Sequence, residues 1–324
     1  MRALLLREFT GPDGVLLEEV PPPAGDRERS VLIEVHTAGV SFADMLITRG
    51  LYQLKPPLPF IPGLEVAGVV REAPPEGGFC TGDRVAAFMF GGAFAEEATA
   101  DPAHVVRLPD RLAFREAAGF VVNYQTAWLT LVRRASLREG EQVLVHGGGG
   151  GLGVATIQVA RALGARVVAV AADPAKAAMA GAAGADVVID ADGGWAEKVR
   201  EASGGGVDIV VDPVGGDRFD DSLRLLRPDG RLVVVGFAGG AIPQVKTNRL
   251  LLRNVGVLGA AWREYILNDP AFVAEAAAGL GALIDDGRLT PLVGATYSLE
   301  DGPQALRDLA GRRAVGKLVI TVRQ

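Results

Sequence analysis

The sequence predicts an α/β protein in which a β-rich first part is followed by a doubly wound parallel sheet. Residues 1 to about 115 carry short β-rich runs broken by Pro and Gly, which is typical of a barrel-like or irregular β domain. From about residue 119 onwards, apolar runs alternate with Ala-rich helical stretches. With 324 residues and 49% hydrophobic content, the chain is long enough for about two domains.

The β-rich part consists of short apolar runs between closely spaced turns. Pro-Pro and Gly-Gly pairs, for example Pro56-Pro57 and Gly77-Gly78, favour those turns. Short strands are therefore expected between them. The predicted strands are Val31–Val35, Val66–Val70, Arg84–Ala87 and Phe94–Thr99.

The second part contains six apolar runs with little alternation between polar and apolar residues. Strands buried on both faces of a parallel sheet have this pattern, because helices cover both faces. Six strands with crossover helices predict a doubly wound sheet. The predicted strands are Gln142–His146, Arg166–Ala171, Val187–Ile189, Val207–Asp212, Arg231–Gly236 and Val255–Gly259. The predicted helices are Leu152–Leu163, Pro174–Ala183, Trp195–Ala202, Phe219–Leu226 and Asn248–Arg253.

Composition limits the classes of function and the compartment. The net charge of −6 and the pI of 5.3 argue against a protein that binds nucleic-acid phosphates. No stretch approaches the roughly 20 consecutive apolar residues of a membrane span. The only cysteine, Cys80, excludes an internal disulfide. We therefore expect a cytoplasmic protein without nucleic-acid or membrane partners.

A glycine-rich loop lies between the first predicted strand of the parallel sheet and its helix. Glycine allows the backbone to approach a pyrophosphate closely, and the free N–H groups of the following helix turn attract negative charge. A second predicted strand ends about 20 residues further on, as the dinucleotide fold requires. The residues expected to bind the dinucleotide are Gly147, Gly150, Gly151, Leu152 and Gly153.

The tip of the second strand of the parallel sheet indicates which dinucleotide is bound. Small residues followed by a cation admit the 2′-phosphate of NADPH, whereas an acidic residue binds the ribose hydroxyls of NADH. Ala172 is small and Lys176 supplies a cation, which favours NADPH. Asp173 is contrary evidence, and Lys176 as a solvated helix charge is the alternative interpretation.

Several segments spread over the chain are more specific in combination than the glycine loop alone. They are Gly39–Asp44, Arg49–Tyr52, Pro59–Gly68, Gly82–Val85, Val145–Gly153, Val211–Gly216 and Gly316–Lys317. In this order they resemble the quinone oxidoreductase and zeta-crystallin branch of the medium-chain dehydrogenase/reductase superfamily. The resemblance implies a GroES-like catalytic domain at residues 1–118, completed by residues 260–324, and an inserted Rossmann domain at residues 119–259. It also implies a homodimer.

The resemblance further implies which residues take part in catalysis. The family carries an Asn, an Asp and a Tyr near the nicotinamide; this chain has Ser41 at the Asn position and keeps Asp44 and Tyr52. Ser41 still donates and accepts hydrogen bonds. A helix cap remains an alternative role for Asp44, and packing remains one for Tyr52.

Other cofactor contacts are implied outside the glycine loop. Asn123 and Thr126 are expected along the nicotinamide and its ribose, with N-capping of a helix as the alternative. Phe237 and Ala238 are expected against the carboxamide. Asn248 matches a family position near the cofactor or the substrate.

No metal site is expected. Zinc-dependent relatives have a histidine beside the Gly-x-Glu segment, where this chain has Leu64, which has no ligand atom. Zinc requires about four N, S or O ligands. The histidines His36, His104 and His146 show no paired spacing. A structural role is therefore expected for all three.

We therefore expect an NADPH-dependent reductase that transfers hydride without a metal. Its expected substrates are small molecules, namely quinones or related conjugated carbonyl compounds. An enoyl-thioester or alkenal reductase with Tyr52 as proton donor is the first alternative. A non-catalytic crystallin-like or RNA-binding member of the family is the second, and the acidic composition argues against RNA.

Overall fold

The computed structural model describes residues 1–23, 28–53 and 55–323. The chain divides into two compact units. The first unit comprises Met1–Val122, Asp269–Asp285 and Val293–Gln324, and the second comprises Asn123–Asn268 and Asp286–Leu292.

The strands and helices follow the two textures of the sequence. The strands are β1 (Arg2–Leu6), β2 (Val15–Glu19), β3 (Val31–Val40), β4 (Glu65–Glu72), β5 (Arg84–Phe88), β6 (Glu97–Ala100), β7 (Val105–Arg107), β8 (Gln142–His146), β9 (Arg166–Ala171), β10 (Val187–Asp190), β11 (Val207–Asp212), β12 (Leu226–Val234), β13 (Gly256–Gly259), β14 (Val293–Ser298) and β15 (Lys317–Thr321). The helices are α1 (Phe42–Thr48), α2 (Phe114–Ala117), α3 (Gln125–Trp128), α4 (Gly151–Ala162), α5 (Pro174–Ala182), α6 (Trp195–Ala202), α7 (Arg218–Leu225), α8 (Thr247–Arg253), α9 (Trp262–Asn268), α10 (Ala271–Asp285) and α11 (Gly302–Ala310).

The first unit is built around the long strand β3, which pairs antiparallel with β4, β6 and β15. Strand β15 is near the end of the given sequence, so residues about 280 positions apart face each other in the sheet, for example Gly39 and Val319. Leu4, Ile33 and Phe94 are fully buried in the core of this unit. This pairing brings the start of β15 to the point where β3 ends and α1 begins.

The second unit contains a parallel sheet with the strand order β10-β9-β8-β11-β12-β13. The order reverses between β8 and β11, and the carboxyl ends of the strands at such a point form the usual ligand site of an open α/β sheet. The predicted doubly wound sheet is therefore confirmed. Leu144, Val168 and Val210 are fully buried between this sheet and its helices.

In the described part of the chain, no helix has both the length and the apolar character that crossing a bilayer requires.

Candidate active site

The glycine loop lies at the carboxyl end of β8, where the strand order of the second unit reverses. Strand β8 ends at His146, Gly147 turns the chain with a φ of +62°, and α4 begins at Gly151. The first backbone acceptor of α4 is the carbonyl of Gly150, which receives the N–H of Val154. The amides of the first helical turn therefore have no partner within the helix and can receive an anion.

The glycines of this loop are required for different reasons. A Cβ on Gly153 would lie 2.2 Å from the carbonyl oxygen of Gly147, so only glycine allows this contact between helix and loop. A Cβ on Gly149 would lie 2.3 Å from the Cβ of Lys176. On Gly150 it would meet only the carbonyl oxygen of Gly147, at 3.5 Å, so the packing of the protein itself does not require glycine there.

The residues expected to discriminate between the dinucleotides lie at the tip of β9. Ala172 is exposed, and Asp173 is the N-cap of α5, where one carboxylate oxygen accepts the Lys176 N–H at 2.9 Å. The other oxygen of Asp173 lies 2.9 Å from Lys176 Nζ. The Lys176 amide hydrogen bond, followed by its ammonium group, lowers the pKa of the Asp173 carboxyl. Lys176, the predicted cation, therefore forms an ion pair with Asp173, the residue that argued against binding of NADPH.

Asp212, whose role was not predicted from the sequence, anchors the loop after β11. One oxygen of its buried carboxylate accepts the N–H groups of Val214 and Gly215, at 2.8 and 2.9 Å. The carbonyl of Pro213 in turn accepts the N–H of Ala238, at 3.0 Å. Asp212 thus orders two neighbouring loops at the carboxyl end of the sheet. The second of them carries Phe237, whose side chain is 40% exposed.

His146 is the buried neighbour of Asp212 on the adjacent strand. The register pairs Val145 with Val211, and its continuation places His146 beside Asp212. Ser222 Oγ donates a hydrogen bond to the carbonyl of Arg218, so with the tautomer that carries its hydrogen on Nε2, His146 donates a hydrogen bond to Ser222 Oγ at 2.8 Å. Burial lowers the pKa of His146 to about 4. His146 is therefore neutral at physiological pH.

The other expected cofactor residues of the second unit occupy two further segments. Asn123 and Thr126 are buried within a continuous helical stretch that runs from residue 120 to 134, so neither is the N-cap of a helix. Asn248 is exposed on α8. The structure brings the glycine loop into contact with Lys176, whereas Asn248 lies on a different helix.

In the first unit, Ser41 and Asp44 form a capping box at the start of α1. Asp44 Oδ2 accepts the Ser41 N–H at 2.7 Å and the Ser41 hydroxyl at 2.6 Å, and Ser41 Oγ accepts the Asp44 N–H at 3.3 Å. Asp44 is fully buried and its Oδ1 has no hydrogen-bond partner. Tyr52 is half-buried in the bend that follows α1. The cap predicted as an alternative for Asp44 is therefore present, but it leaves one carboxylate oxygen unsatisfied.

A buried ion pair between Glu65 and Lys317 lies in the same unit and was not predicted from the sequence. Lys317 Nζ contacts Glu65 Oε1, and Glu65 Oε2 accepts the N–H of Val122 at 2.9 Å. The side chains of Lys317 and Glu65 are only 5% and 1% exposed. Charged side chains are rarely buried unless they are paired.

Metal-ligating residues are dispersed. Among residues 1–23, 28–53 and 55–323, no three His, Cys, Asp or Glu side chains are grouped so that they could hold a metal ion. Each histidine instead packs against an aromatic ring. The pairs are His36 with Phe114, His104 with Phe88, and His146 with Trp195.

Comparisons with known proteins agree with this architecture. Residues 27–110 match the family model described as alcohol dehydrogenase GroES-like domain, and residues 151–277 match the one described as zinc-binding dehydrogenase. The predicted combination of a GroES-like domain and a Rossmann sheet is thereby confirmed.

Individual relatives show to which branch of the superfamily the chain belongs. Quinone oxidoreductase-like protein 2 of Rattus norvegicus is 37% identical over 99% of this chain and 92% of its own length. A probable oxidoreductase from Mycobacterium abscessus is 42% identical, with a TM-score of 0.91 over 99% of both chains. The quinone oxidoreductase of Thermus thermophilus, solved also in complex with NADPH, is 37% identical, with a TM-score of 0.85 over 99% of this chain and 100% of that one. The chain therefore belongs to the quinone oxidoreductase branch of the medium-chain dehydrogenase/reductase superfamily.

Proposed function

We propose that this protein uses NADPH to reduce quinones or related conjugated carbonyl compounds by hydride transfer without a metal. The observation that carries the proposal is the first turn of α4, whose free amides follow a loop in which Gly153 packs against Gly147. Similarity to the Thermus thermophilus enzyme, which was solved with NADPH, supports the choice of cofactor.

The cofactor's pyrophosphate is assigned to the amides of Gly151, Leu152 and Gly153. Lys176 packs against Gly149 and is assigned to the 2′-phosphate, which would compete with Asp173 for its ammonium group. The reduced nicotinamide supplies the hydride. The remaining cofactor contacts are assigned to Asn123, Thr126, Ala172, Phe237, Ala238 and Asn248.

The electron acceptor is assigned to Ser41, Asp44 and Tyr52 of the first unit. Ser41 is 9% exposed and Asp44 fixes the position of its hydroxyl. When Asp44 is protonated and donates to Ser41 Oγ, the hydroxyl hydrogen of Ser41 is available to the carbonyl oxygen of the acceptor. Quinones and enones accept hydride readily, and the described residues offer no cluster of metal ligands for Lewis-acid activation. Stabilisation of the developing oxyanion by hydrogen bonds then becomes the main contribution of the protein.

A dimer is part of the proposal. Strand β13 is at one edge of the parallel sheet, and Leu251 and Leu252 on the preceding helix are 75% and 77% exposed. An unpaired strand edge beside exposed leucines favours association with a second copy. Light scattering should give twice the mass of 33.7 kDa, and L251E/L252E should give a monomer. A wild-type monomer at micromolar concentration would rule this part out.

Oxidation of NADPH and NADH in the presence of quinones, enals and enoyl thioesters tests the proposed reaction. We expect turnover with quinones and a higher kcat/KM for NADPH than for NADH. The Y52F variant distinguishes this reaction from that of an enoyl-thioester reductase. A large loss of turnover with enoyl thioesters but not with quinones would support the thioester reductase, with Tyr52 as proton donor. Absence of binding to either nucleotide in calorimetry would end the proposal.

A further inference from the structure

Three charged side chains are buried together in the first unit. Asp44, Glu65 and Lys317 are 0%, 1% and 4% exposed. Lys317 is paired with Glu65, and its charge and that of Glu65 both act on Asp44. The ammonium group therefore contacts one buried carboxyl group, that of Glu65, and acts through its charge on the other, that of Asp44. Such an arrangement favours a proton on the carboxyl group that lacks the direct ion pair.

The sheet register explains why these groups meet. Strand β15 runs antiparallel to β3 with Leu318 opposite Val40, so its continuation places Lys317 opposite Ser41. On the other side of β3, Glu65 lies opposite Gly39. A Cβ on Gly39 would lie 1.9 Å from the carbonyl oxygen of Ala118 and 2.6 Å from Glu65 Oε1, so glycine accommodates both the neighbouring backbone and the ion pair. The pair is thus built into the strand ends from which α1 begins.

The Ser41 hydroxyl connects Asp44 to the outside. Its single hydrogen points to Asp44 Oδ2 when Asp44 is ionised, because a carboxylate only accepts hydrogen bonds. When Asp44 is protonated, the carboxyl group donates to Ser41 Oγ, and the Ser41 hydrogen becomes available to another acceptor. Asp44 has no exposed surface, whereas Ser41 is 9% exposed. A proton on Asp44 therefore has a route outwards through Ser41.

Both protonation states are accessible near neutral pH. Burial raises the pKa of Asp44 to about 6, the hydrogen bonds from Ser41 and the charge of Lys317 lower it, and the charge of Glu65 raises it. Helix α11 also packs against α1, but its charged residues are engaged elsewhere: Arg307 pairs with Asp13, and Asp308 pairs with Arg313 and binds Tyr297.

We propose that Asp44 stores the proton that Ser41 passes to the reduced acceptor, and that Lys317, held by Glu65, is a positioning residue that sets the charge around Asp44. This inference rests on the proposed function, which supplies the hydride. As the acceptor gains the hydride, the Ser41 O–H bond breaks and an O–H bond forms on the acceptor oxygen. The proton of Asp44 moves to Ser41 Oγ and leaves Asp44 as a carboxylate. Water restores the proton through Ser41 before the next turnover.

The test is the pH profile of kcat/KM for a quinone at saturating NADPH, measured in the full-length protein. For the wild type we expect a fall above the pKa of Asp44. In E65Q the fall should move to lower pH by about one pH unit, and in K317M to higher pH by a similar amount. The double variant E65Q/K317M should return close to the wild type, because the two charges act on Asp44 with opposite sign. K198M, which removes an exposed ammonium in the second unit, should leave the profile unchanged.

Variants of Ser41 test the route of the proton. S41A should lower kcat by at least roughly tenfold and abolish the fall with pH, whereas S41T, which keeps the hydroxyl, should restore both. Shifts of E65Q and K317M in the same direction, or no shift in either, would overturn the proposal. E65Q keeps an oxygen that can accept the N–H of Val122, so it remains informative if K317M does not fold.

The two proposals fail in different ways. If the wild-type protein oxidises no NADPH with any acceptor, the proposed function fails. A ¹³C titration of the Asp44 carboxyl by NMR in the wild type, E65Q and K317M still measures the charge coupling without turnover. Opposite shifts of the Asp44 pKa in the two variants support the inference, and identical titrations refute it.

Discussion

Lys176 Nζ lies 2.9 Å from Asp173 Oδ2, so the cation and the carboxylate at the tip of β9 form an ion pair. The pair is partly exposed, with 16% of the Lys176 side chain and 42% of the Asp173 side chain accessible. A 2′-phosphate brought to this point gains the ammonium group but meets the carboxylate. If Lys176 binds the 2′-phosphate as proposed, both residues should affect the discrimination between NADPH and NADH.

Removing the charge of Asp173 should strengthen the preference for NADPH. In D173N, asparagine remains a good N-cap for α5, so the helix is preserved while the negative charge is lost. We expect the ratio of kcat/KM for NADPH over NADH to rise roughly three- to tenfold, and K176A to lower it by a similar factor. D192N removes a comparable exposed partner of Lys198 and serves as the control. A lower ratio in D173N would contradict the assignment of Lys176.

Two alanine substitutions should separate packing from cofactor binding in the glycine loop. G153A places a methyl group against the carbonyl oxygen of Gly147, so both the melting temperature and the affinity for NADPH should fall. G150A meets only an ordinary contact and has a φ of −90°, which alanine adopts easily. It should therefore keep the melting temperature within a few degrees and weaken NADPH binding by at least roughly tenfold, because the methyl group occupies the approach of the pyrophosphate. Full NADPH affinity in G150A would remove Gly150 from the site.

The sequence predicted the parts of this architecture that depend on local pattern. The unbroken apolar runs indicated the parallel strands, and the helix predicted to begin at Leu152 after the glycine loop begins one residue earlier, at Gly151, as α4. Gly149 received no role, because its requirement comes from Lys176, which is 27 positions away along the chain. Spacing alone contains no information on such a contact.

The buried ion pair between Glu65 and Lys317 is a second contact that the sequence could not predict. Glu65 and Lys317 are 252 positions apart, and only the pairing of β15 with β3 brings them together. One signal was present: Lys317 begins an apolar run that becomes a buried strand, and a lysine at such a place needs a partner. The identity of that partner depends on sheet order, which a single sequence does not specify.

Asp212 and His146 present two buried acceptors side by side, which makes their substitutions informative. Asp212 Oδ2 and His146 Nδ1 have no hydrogen-bond partner, while Asp212 Oδ1 holds the amides of Val214 and Gly215. D212N keeps that oxygen and adds an N–H₂ donor on the side of His146, so its free energy of unfolding should equal or exceed that of the wild type. D212A leaves both amides without an acceptor, so its free energy of unfolding should be lower by roughly 2–4 kcal/mol.

Urea denaturation at pH 7 measures the free energy of unfolding of both Asp212 variants. NADPH titration reports whether the loop after β11 stays ordered. H146A would confuse the comparison, because it also leaves a cavity beside Trp195. A D212N variant as unstable as D212A would show that the two acceptors do not face a common donor position.

Asp44 should make the stability of the protein depend on pH with the opposite sign to most carboxylates. Its pKa in the folded protein is about 6, above the ordinary value of 3.8, so between these values the folded state binds more protons than the unfolded state. Stability from this group is therefore present below pH 4 and is lost as the pH rises through 6, by about 3 kcal/mol in total.

The D44N variant tests this dependence, because asparagine does not titrate. The free energy of unfolding of D44N minus that of the wild type should rise between pH 4 and 7 by up to that amount in urea denaturation. D83N is the matched control: hydrogen bonds from the Cys80 amide and Arg107 lower the pKa of Asp83 below its ordinary value of 3.8, so its difference from the wild type should stay nearly constant between pH 4 and 7 and change in the other direction below pH 4. A difference for D44N that stays constant over this range would mean that Asp44 is ionised throughout and stores no proton.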